Sequence, residues 1–349
     1  MSDDRPLELG DNRVPVYYAG GRNISAFRGL AGGDDGPEDW VGSQVPLPPA
    51  ILGPDVDPRT GISLLPDGRR IADAIAADPH AWLGPELADA FGGSTAVLVK
   101  LLDAGERLPV HCHPSRDVAR RSLGSVFGKT EGWVIMRAEP GSAVWIGMHD
   151  GVDVADMRRW IDAQDADAML SAMMRLPVEP GMVVYVPAGA PHAIGPGVML
   201  TELQEPTSFS VLAEHAAFGV GADAATLGLG WDIAMSCFDL AAFADRRDTV
   251  LPAPRTLSST AAGTVSSLFS AEAEAYFRAW RVRATGAVEL PEPSFAVLVV
   301  AAGSGTLSWE GGRVPVRAGQ TFVAPFAAGP LTVDGVVDVI ACLPPAVGG

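Results

Sequence analysis

The chain has 349 residues, 48% of them hydrophobic, and a formal net charge of −17. That length exceeds what one core usually serves and the apolar content is ample for two, while the acidic balance argues against nucleic acid or an anionic membrane as partner, because the general field repels both. The N-terminal Met1-Ser2-Asp3-Asp4-Arg5 has no apolar leader, no apolar run is long enough to span a bilayer, and three cysteines far apart offer no disulfide framework, so the expected compartment is the cytoplasm.

Forty glycines and 29 prolines punctuate many short runs rich in Val, Leu and Ala, which reads as a mostly β architecture with helical inserts. Residues 1 to about 70 read as irregular, with Asp39-Trp40-Val41-Gly42-Ser43 as the one patch of functional character. A helix is expected after Gly84, opened by Pro85 and stopped by Gly92-Gly93. Strands are expected over about 96–102, 108–113, 132–137 and 182–186. Met157, Trp160, Ile161, Met169, Leu170 and Met173 recur at helical spacing, predicting an amphipathic insert over about 154–174 whose methionines pack into the core. A second helical stretch is expected over about 215–244. Gly181-x5-Pro187-x-Gly189-x2-His192 recurs as Gly319-x5-Pro325-x-Ala327-x2-Pro330, which predicts two related barrels, the second without the histidine. The expected units are residues 1–262, carrying the inserts, and 263–349.

Lys100 and Lys129 are the only lysines among 25 basic residues, and they bracket His111-Cys112-His113. Arginine has replaced lysine wherever a generic cation serves, so the two survivors point to a task for a compact ammonium. On a strand, His111 and His113 project to one face and Cys112 to the other, as a core residue; the same alternation sets Lys129 beside Glu131. Two imidazoles at this spacing can converge on one ion, with Glu131 as third ligand and His192, in a tight Pro/Gly turn, as fourth.

H-x-H, a strand Glu and G-x5-P-x-G-x2-H together resemble the two metal-binding motifs of the cupin superfamily. Further segments resemble the type I (cupin) mannose-6-phosphate isomerases in the same order: Gly20-Gly21-Arg22-Asn23, Glu38-Asp39-Trp40-Val41-Gly42-Ser43, Leu98-Val99-Lys100-Leu101-Leu102-Asp103-Ala104, Gly128-Lys129-Thr130-Glu131 and Glu202-Leu203-Gln204. The resemblance implies a double cupin fold, and zinc held by His111, His113, Glu131 and His192. The first of these ligands is normally glutamine in that family, and the three-His, one-Glu set found here also suits iron, manganese or nickel. The family's Thr-Tyr-Arg motif after the Glu-x-Gln strand is replaced by Thr207-Ser208-Phe209-Ser210, so its active-site arginine is missing. Arg116, with Arg120 and Arg121 in the 17-residue connection between His113 and Glu131, either forms a lid that clamps phosphate or is a solvated cluster.

The expected chemistry is metal-dependent interconversion of an aldose and a ketose, as sugar or sugar phosphate, through an enediol. Lys100, in the apolar run Ala96-Val97-Leu98-Val99, is expected to have a pKa lowered by desolvation and to carry the proton; Lys129 is either a second proton carrier or a partner for an oxyanion. Glu202 and Gln204 are candidates for sugar hydroxyls, Ser43 for substrate contact, and Trp40 for stacking on a sugar ring, unless it is simply buried. Another cupin metalloenzyme, such as an oxygenase or epimerase, and a non-catalytic sugar-binding cupin are the alternatives. The sequence does not reveal the oligomeric state.

Overall fold

The computed structural model describes residues 4–31, 36–48 and 57–347. Strands dominate, arranged in three antiparallel sheets. A six-stranded sheet runs in the order Arg13–Val14, Glu38–Val41, Leu98–Ala104, Val198–Gln204, Glu131–Ala138, Val183–Val186. It faces a five-stranded sheet ordered Val211–Leu212, His111–Cys112, His192–Ile194, Ala143–Met148, Met173–Pro177. Leu102, Trp133, Ile135, Val184 and Leu200 from the first sheet and Val144, Ile146 and Ile194 from the second share one buried cluster, so these two sheets close on a common interior.

Strand alternation gives the six-stranded sheet a second buried face. Val99, Leu101, Val134, Tyr185 and Leu203 pack on Val297, Val299, Val323 and Ile340 of a nine-stranded sheet, and on Ile75, Trp82 and Leu87 of three short helices. That larger sheet is built mostly from residues 255–343 and recruits Leu7–Leu9 from the N-terminus at its edge. Its own interior is aliphatic and aromatic, including Trp280, Leu298 and Phe322. The internal repeat is visible in the backbone: Gly181 and Gly319 have φ of 92° and 91°, a left-handed conformation that favours glycine, and each precedes a strand ending before a proline.

The helix expected after Gly84 spans Pro85–Phe91 and ends at a left-handed Gly92. The insert at 154–174 is two helices, Val154–Ala163 and Ala166–Ser171, the first capped reciprocally by Asp153 and Asp156 and broken at Gln164, where φ is 50°. Met173 and Met174 belong to the next strand, because their main chain pairs with Ala143–Met148. Residues 215–244 hold no long helix; Gly228 and Gly230, both at positive φ, divide them into single turns. Part of the irregular N-terminal region is also ordered, since Glu38–Val41 is a fully buried strand. Segments 32–35 and 49–56 of that region lie outside the described residues.

Gly132 shows how closely the connection between strands Gly263–Ser267 and Arg278–Ala284 approaches the six-stranded sheet. A Cβ there would lie 2.5 Å from Phe269 Cζ and 2.8 Å from Phe277 Cε2. Gly132→Ala should therefore destabilise the protein by about 1–3 kcal/mol, read as a lower urea midpoint, and an unchanged midpoint would show that this contact yields freely.

Candidate metal centre and active site

Register across the six-stranded sheet assembles one wall of the site. Trp40 pairs with Lys100, Lys100 with Glu202, and Glu202 with Trp133, forming a row across four neighbouring strands. Directly paired residues project to the same face, so this polar row points into the interior while Val99 and Leu101 point away from it. The facing sheet places His111 and His192 opposite each other.

His111, His113 and His192 are buried, and their ligand atoms all lie within 4.8 Å of one another. Each ring is anchored from behind: Nδ1–H donates to the carbonyl of Pro109 at 2.8 Å for His111, Phe209 at 2.7 Å for His113, and Ala190 at 2.9 Å for His192. This assignment leaves the three Nε2 lone pairs turned toward a shared centre, the arrangement a metal-binding imidazole requires. Burial lowers the pKa of all three, His113 to about 3, with Lys129 adding to the effect there, so the rings are neutral. Glu131 joins them, with Oε1 3.0 Å from His113 Nε2 and Oε2 3.6 Å from His192 Nε2. Burial opposes its charge, but the Lys129 ammonium holds its carboxyl well below the usual range. A neutral imidazole lone pair 3.0 Å from a carboxylate oxygen, and a buried His192 Nε2 without a hydrogen-bond partner, both fit a cation held between them. Lys129 Nζ lies beside this centre, 2.8 Å from Glu131 Oε1 and 3.1 Å from His113 Nε2.

The centre opens into a narrow cavity lined by His111, Lys129, Glu131 and His192, by Glu38, Trp40, Lys100 and Glu202, and by Tyr17, Tyr18, Ser208 and Ser210, with an aliphatic remainder. Lys100 Nζ sits 3.3 Å from Glu38 and 3.1 Å from Glu202, and 5.3 Å from the centre of the Trp40 ring. The expected lowering of the Lys100 pKa does not occur. Burial alone would lower the Lys100 pKa, but Glu202, Glu38 and Glu131 outweigh it and raise the pKa, so Lys100 is a firmly protonated ammonium. Glu38 accepts from Tyr18 Oη and Trp40 Nε1, both at 2.6 Å, and its pKa is lowered: burial opposes its charge, and Lys100 with these donors outweighs that. Glu202 is pushed up to about 7 by burial and by Glu131. Trp133 Nε1 donates to both Glu131 Oε2 at 3.2 Å and Glu202 Oε1 at 3.1 Å, linking the histidine cluster to the Lys100 network.

Seven residues singled out from the sequence therefore line one cavity: Trp40, Lys100, His111, Lys129, Glu131, His192 and Glu202. His113 completes the histidine cluster beside them. Cys112 points the other way, into a small apolar cluster with Val118, Val211 and Cys237. Three candidates for substrate contact are engaged elsewhere. Ser43 organises its own turn through Val45. Gln204 donates to the carbonyls of Glu205 and Thr207 and braces the turn that follows its strand. Arg116 donates to Glu205 at 2.5 Å and to the Ala275 carbonyl at 2.8 Å, and stacks on Tyr276, so it ties the connection down rather than lining the cavity. Glu38, Tyr17, Tyr18, Trp133 and Ser210 were not singled out; the period-two spacing of Glu38 with Trp40, and of Glu131 with Trp133, is the signal that would have found two of them.

The buried imidazoles set a pH dependence. Their folded pKa values lie below the ordinary 6.5, so as pH falls through that value the unfolded chain takes up protons that the folded chain refuses. This contribution is complete above about pH 6.5 and is lost progressively toward the folded value of about 3 for His113. Glu202 acts with the opposite sign between 4.5 and about 7, one group against three. The metal-free chain should therefore show a lower urea midpoint near about pH 5 than near about pH 7.5, and the reverse order would contradict a neutral cluster.

No family model matches the chain. A mannose-6-phosphate isomerase of Streptococcus mutans is 36% identical over 131 residues, which is 36% of this chain and 40% of that protein, so the match spans well under two thirds of the relative's length. The mannose 6-phosphate isomerase of Bacillus subtilis superposes with a TM-score of 0.75 at 20% identity, covering 97% of this chain and 99% of that one. A mannose 6-phosphate isomerase crystallised with bound zinc and yttrium gives 0.71 at 13% identity, covering 98% and 100%. Locally in sequence and throughout in fold, the chain resembles the type I, cupin-type phosphomannose isomerase family.

Proposed function

We propose that this protein is a metal-dependent isomerase that interconverts an aldose and a ketose, as sugar or sugar phosphate. The observation that carries the reading is the convergence of three imidazole lone pairs and the Glu131 carboxylate at one side of a cavity whose other wall holds the Lys100 ammonium between Glu38 and Glu202. His111, His113, Glu131 and His192 would hold the ion, zinc by likeness to the zinc-bound relative, although the donor set also suits iron, manganese or nickel. Such an ion supplies Lewis acidity toward the substrate's carbonyl and hydroxyl oxygens.

The remaining steps fall to the side chains. In going from aldose to ketose, one proton leaves C2 and is returned to C1, and the O2 hydroxyl proton is exchanged for one on O1. Glu202, pushed up to about 7 and facing the cavity, is the group best matched to carry the carbon-bound proton. Lys100 stays charged throughout and stabilises negative charge developing on the sugar oxygens, with Lys129 as the second ammonium at the same cavity. Both lysines keep catalytic roles in this proposal, but the role of Lys100 changes from proton carrier to electrostatic partner. Trp40 lines the same cavity with Lys100 Nζ over its ring and would pack against substrate. The 1–262 unit would carry the chemistry and the 263–349 unit would support it structurally without a metal.

The runner-up is another cupin metalloenzyme, favoured by the three-His donor set, which also suits redox metals. No helix among the described residues is long and apolar enough to cross a membrane, and the three cysteines are free and buried, which supports a cytoplasmic enzyme of small molecules.

Deuterium exchange at the substrate C2 position, followed by NMR across a panel of sugars and sugar phosphates, tests the reaction class; oxidation products without exchange would favour the runner-up. Elemental analysis should find about one metal equivalent per chain, lost in His192→Ala. Lys100→Arg and Glu202→Gln should keep the metal yet lower kcat by about a hundredfold or more, since a guanidinium does not fit the point geometry and an amide cannot carry a proton. Near-normal turnover in either variant would remove that residue from the chemistry.

A further inference from the structure

We propose that Tyr17 is a substrate-orienting residue of this cavity, its hydroxyl, backed by Ser210, donating a hydrogen bond to a sugar hydroxyl beyond the two reacting carbons; this rests on the isomerase reading above. In that reading the oxygens on C1 and C2 face the ion and the lysines, so the rest of the sugar must be oriented by groups that are still free. Most polar groups of the cavity are not. Lys100 is held between Glu38 and Glu202, Lys129 is held by Glu131 and His113, and Glu38 also accepts from Tyr18 and Trp40. What remains of the polar lining is Tyr17, Ser208 and Ser210, all uncharged. A sugar hydroxyl both donates and accepts, and neutral hydroxyls answer it without altering the field that the ion and the ionised side chains set.

Of the three, Tyr17 carries its hydroxyl on a ring fixed from two sides. It lies in the connection between strand Arg13–Val14 and helix Asn23–Arg28 and is partly exposed, whereas the neighbouring Tyr18 is buried. Its ring packs edge-to-face against Tyr18 and Phe218, with centroids 5.7 and 6.4 Å away. Tyr18 is tied through Oη to Glu38, and the Ala19 N–H donates to Glu106 at 2.6 Å, so the connection is anchored immediately after Tyr17. The Ser210 hydroxyl donates to the Tyr17 oxygen, which leaves the phenol's own proton free to donate onward. Burial first, and the Glu38 carboxylate second, keep that phenol protonated, so it remains a donor. Ser210 directly follows Phe209, whose carbonyl anchors His113, so one turn holds both the histidine cluster and the support of the Tyr17 hydroxyl. A donor held this firmly discriminates by being left unpaired when the substrate lacks the matching hydroxyl.

The test pairs a protein hydroxyl with a substrate hydroxyl. The metal-loaded full chain and its Tyr17→Phe variant would be titrated calorimetrically with aldohexoses, ketohexoses and their 6-phosphates, then with analogues of the tightest binder that each lack one hydroxyl beyond C2. Metal content, urea midpoint and C2 deuterium exchange would be measured in parallel. Tyr17→Phe keeps the ring packing, so its metal content and midpoint should match the parent, while the tightest binder should bind it about tenfold more weakly. One deoxy analogue should bind the parent about tenfold more weakly than its hydroxylated counterpart and show no further loss in Tyr17→Phe, the signature of a shared hydrogen bond. Undiminished binding by Tyr17→Phe, or losses that add for every analogue, overturns the inference. A uniform loss accompanied by a lower urea midpoint assigns Tyr17 a structural role and overturns it as well. Coupled losses without C2 exchange in the parent leave the contact in place and sink the isomerase reading, and C2 exchange without coupling does the reverse. If no member of the panel binds, both fall.

Discussion

Everything in this site follows from the cost of burying carboxylates. Glu38, Glu131 and Glu202 lie in the interior between two sheets, where an isolated charge is strongly penalised and survives only when paired and hydrogen-bonded. Lys100 and Lys129 supply the opposite charge, while Tyr18, Trp40 and Trp133 supply donors. The compensation is incomplete on the side of the histidines, where neutral lone pairs face Glu131. Neutral lone pairs and a carboxylate turned toward one another form the donor set that a divalent cation would complete.

The scaffold holds this cluster by means that have nothing to do with charge. Strand register sets Trp40, Lys100, Glu202 and Trp133 in one row, so a slip of a single residue would turn the row into the apolar interface with the nine-stranded sheet. Glu205 accepts from the backbone N–H groups of Gly128 and Thr130 as well as from Arg116, which fixes the connection immediately before Glu131. The backbone carbonyls behind the three imidazoles set their tautomers, and Phe269 and Phe277, on the connection between strands Gly263–Ser267 and Arg278–Ala284, pack against Gly132 next to Glu131.

The sequence made the metal cluster legible because period-two alternation and a Pro/Gly turn are local rules: His111, His113, Glu131 and His192 meet as their spacing implies. The two lysines were legible through their rarity. The charge state of Lys100 was not, because its apolar neighbours are adjacent in sequence while Glu38 and Glu202, which decide its pKa, arrive from distant strands. The partners of Arg116 and Gln204 were not legible for a related reason, as Arg116 is engaged by Glu205, remote from its own motif, and Gln204 by the turn that follows its strand. The helical character of 215–244 was legible but its breaks were not, since glycines at positive φ divide it into short helical turns.

Anomalous diffraction from crystals of the full chain grown with a divalent metal addresses the central claim most directly. A single strong peak is expected, bonded by the Nε2 atoms of His111, His113 and His192 together with the Glu131 carboxylate. A metal bound elsewhere while those four side chains remain unliganded would contradict it.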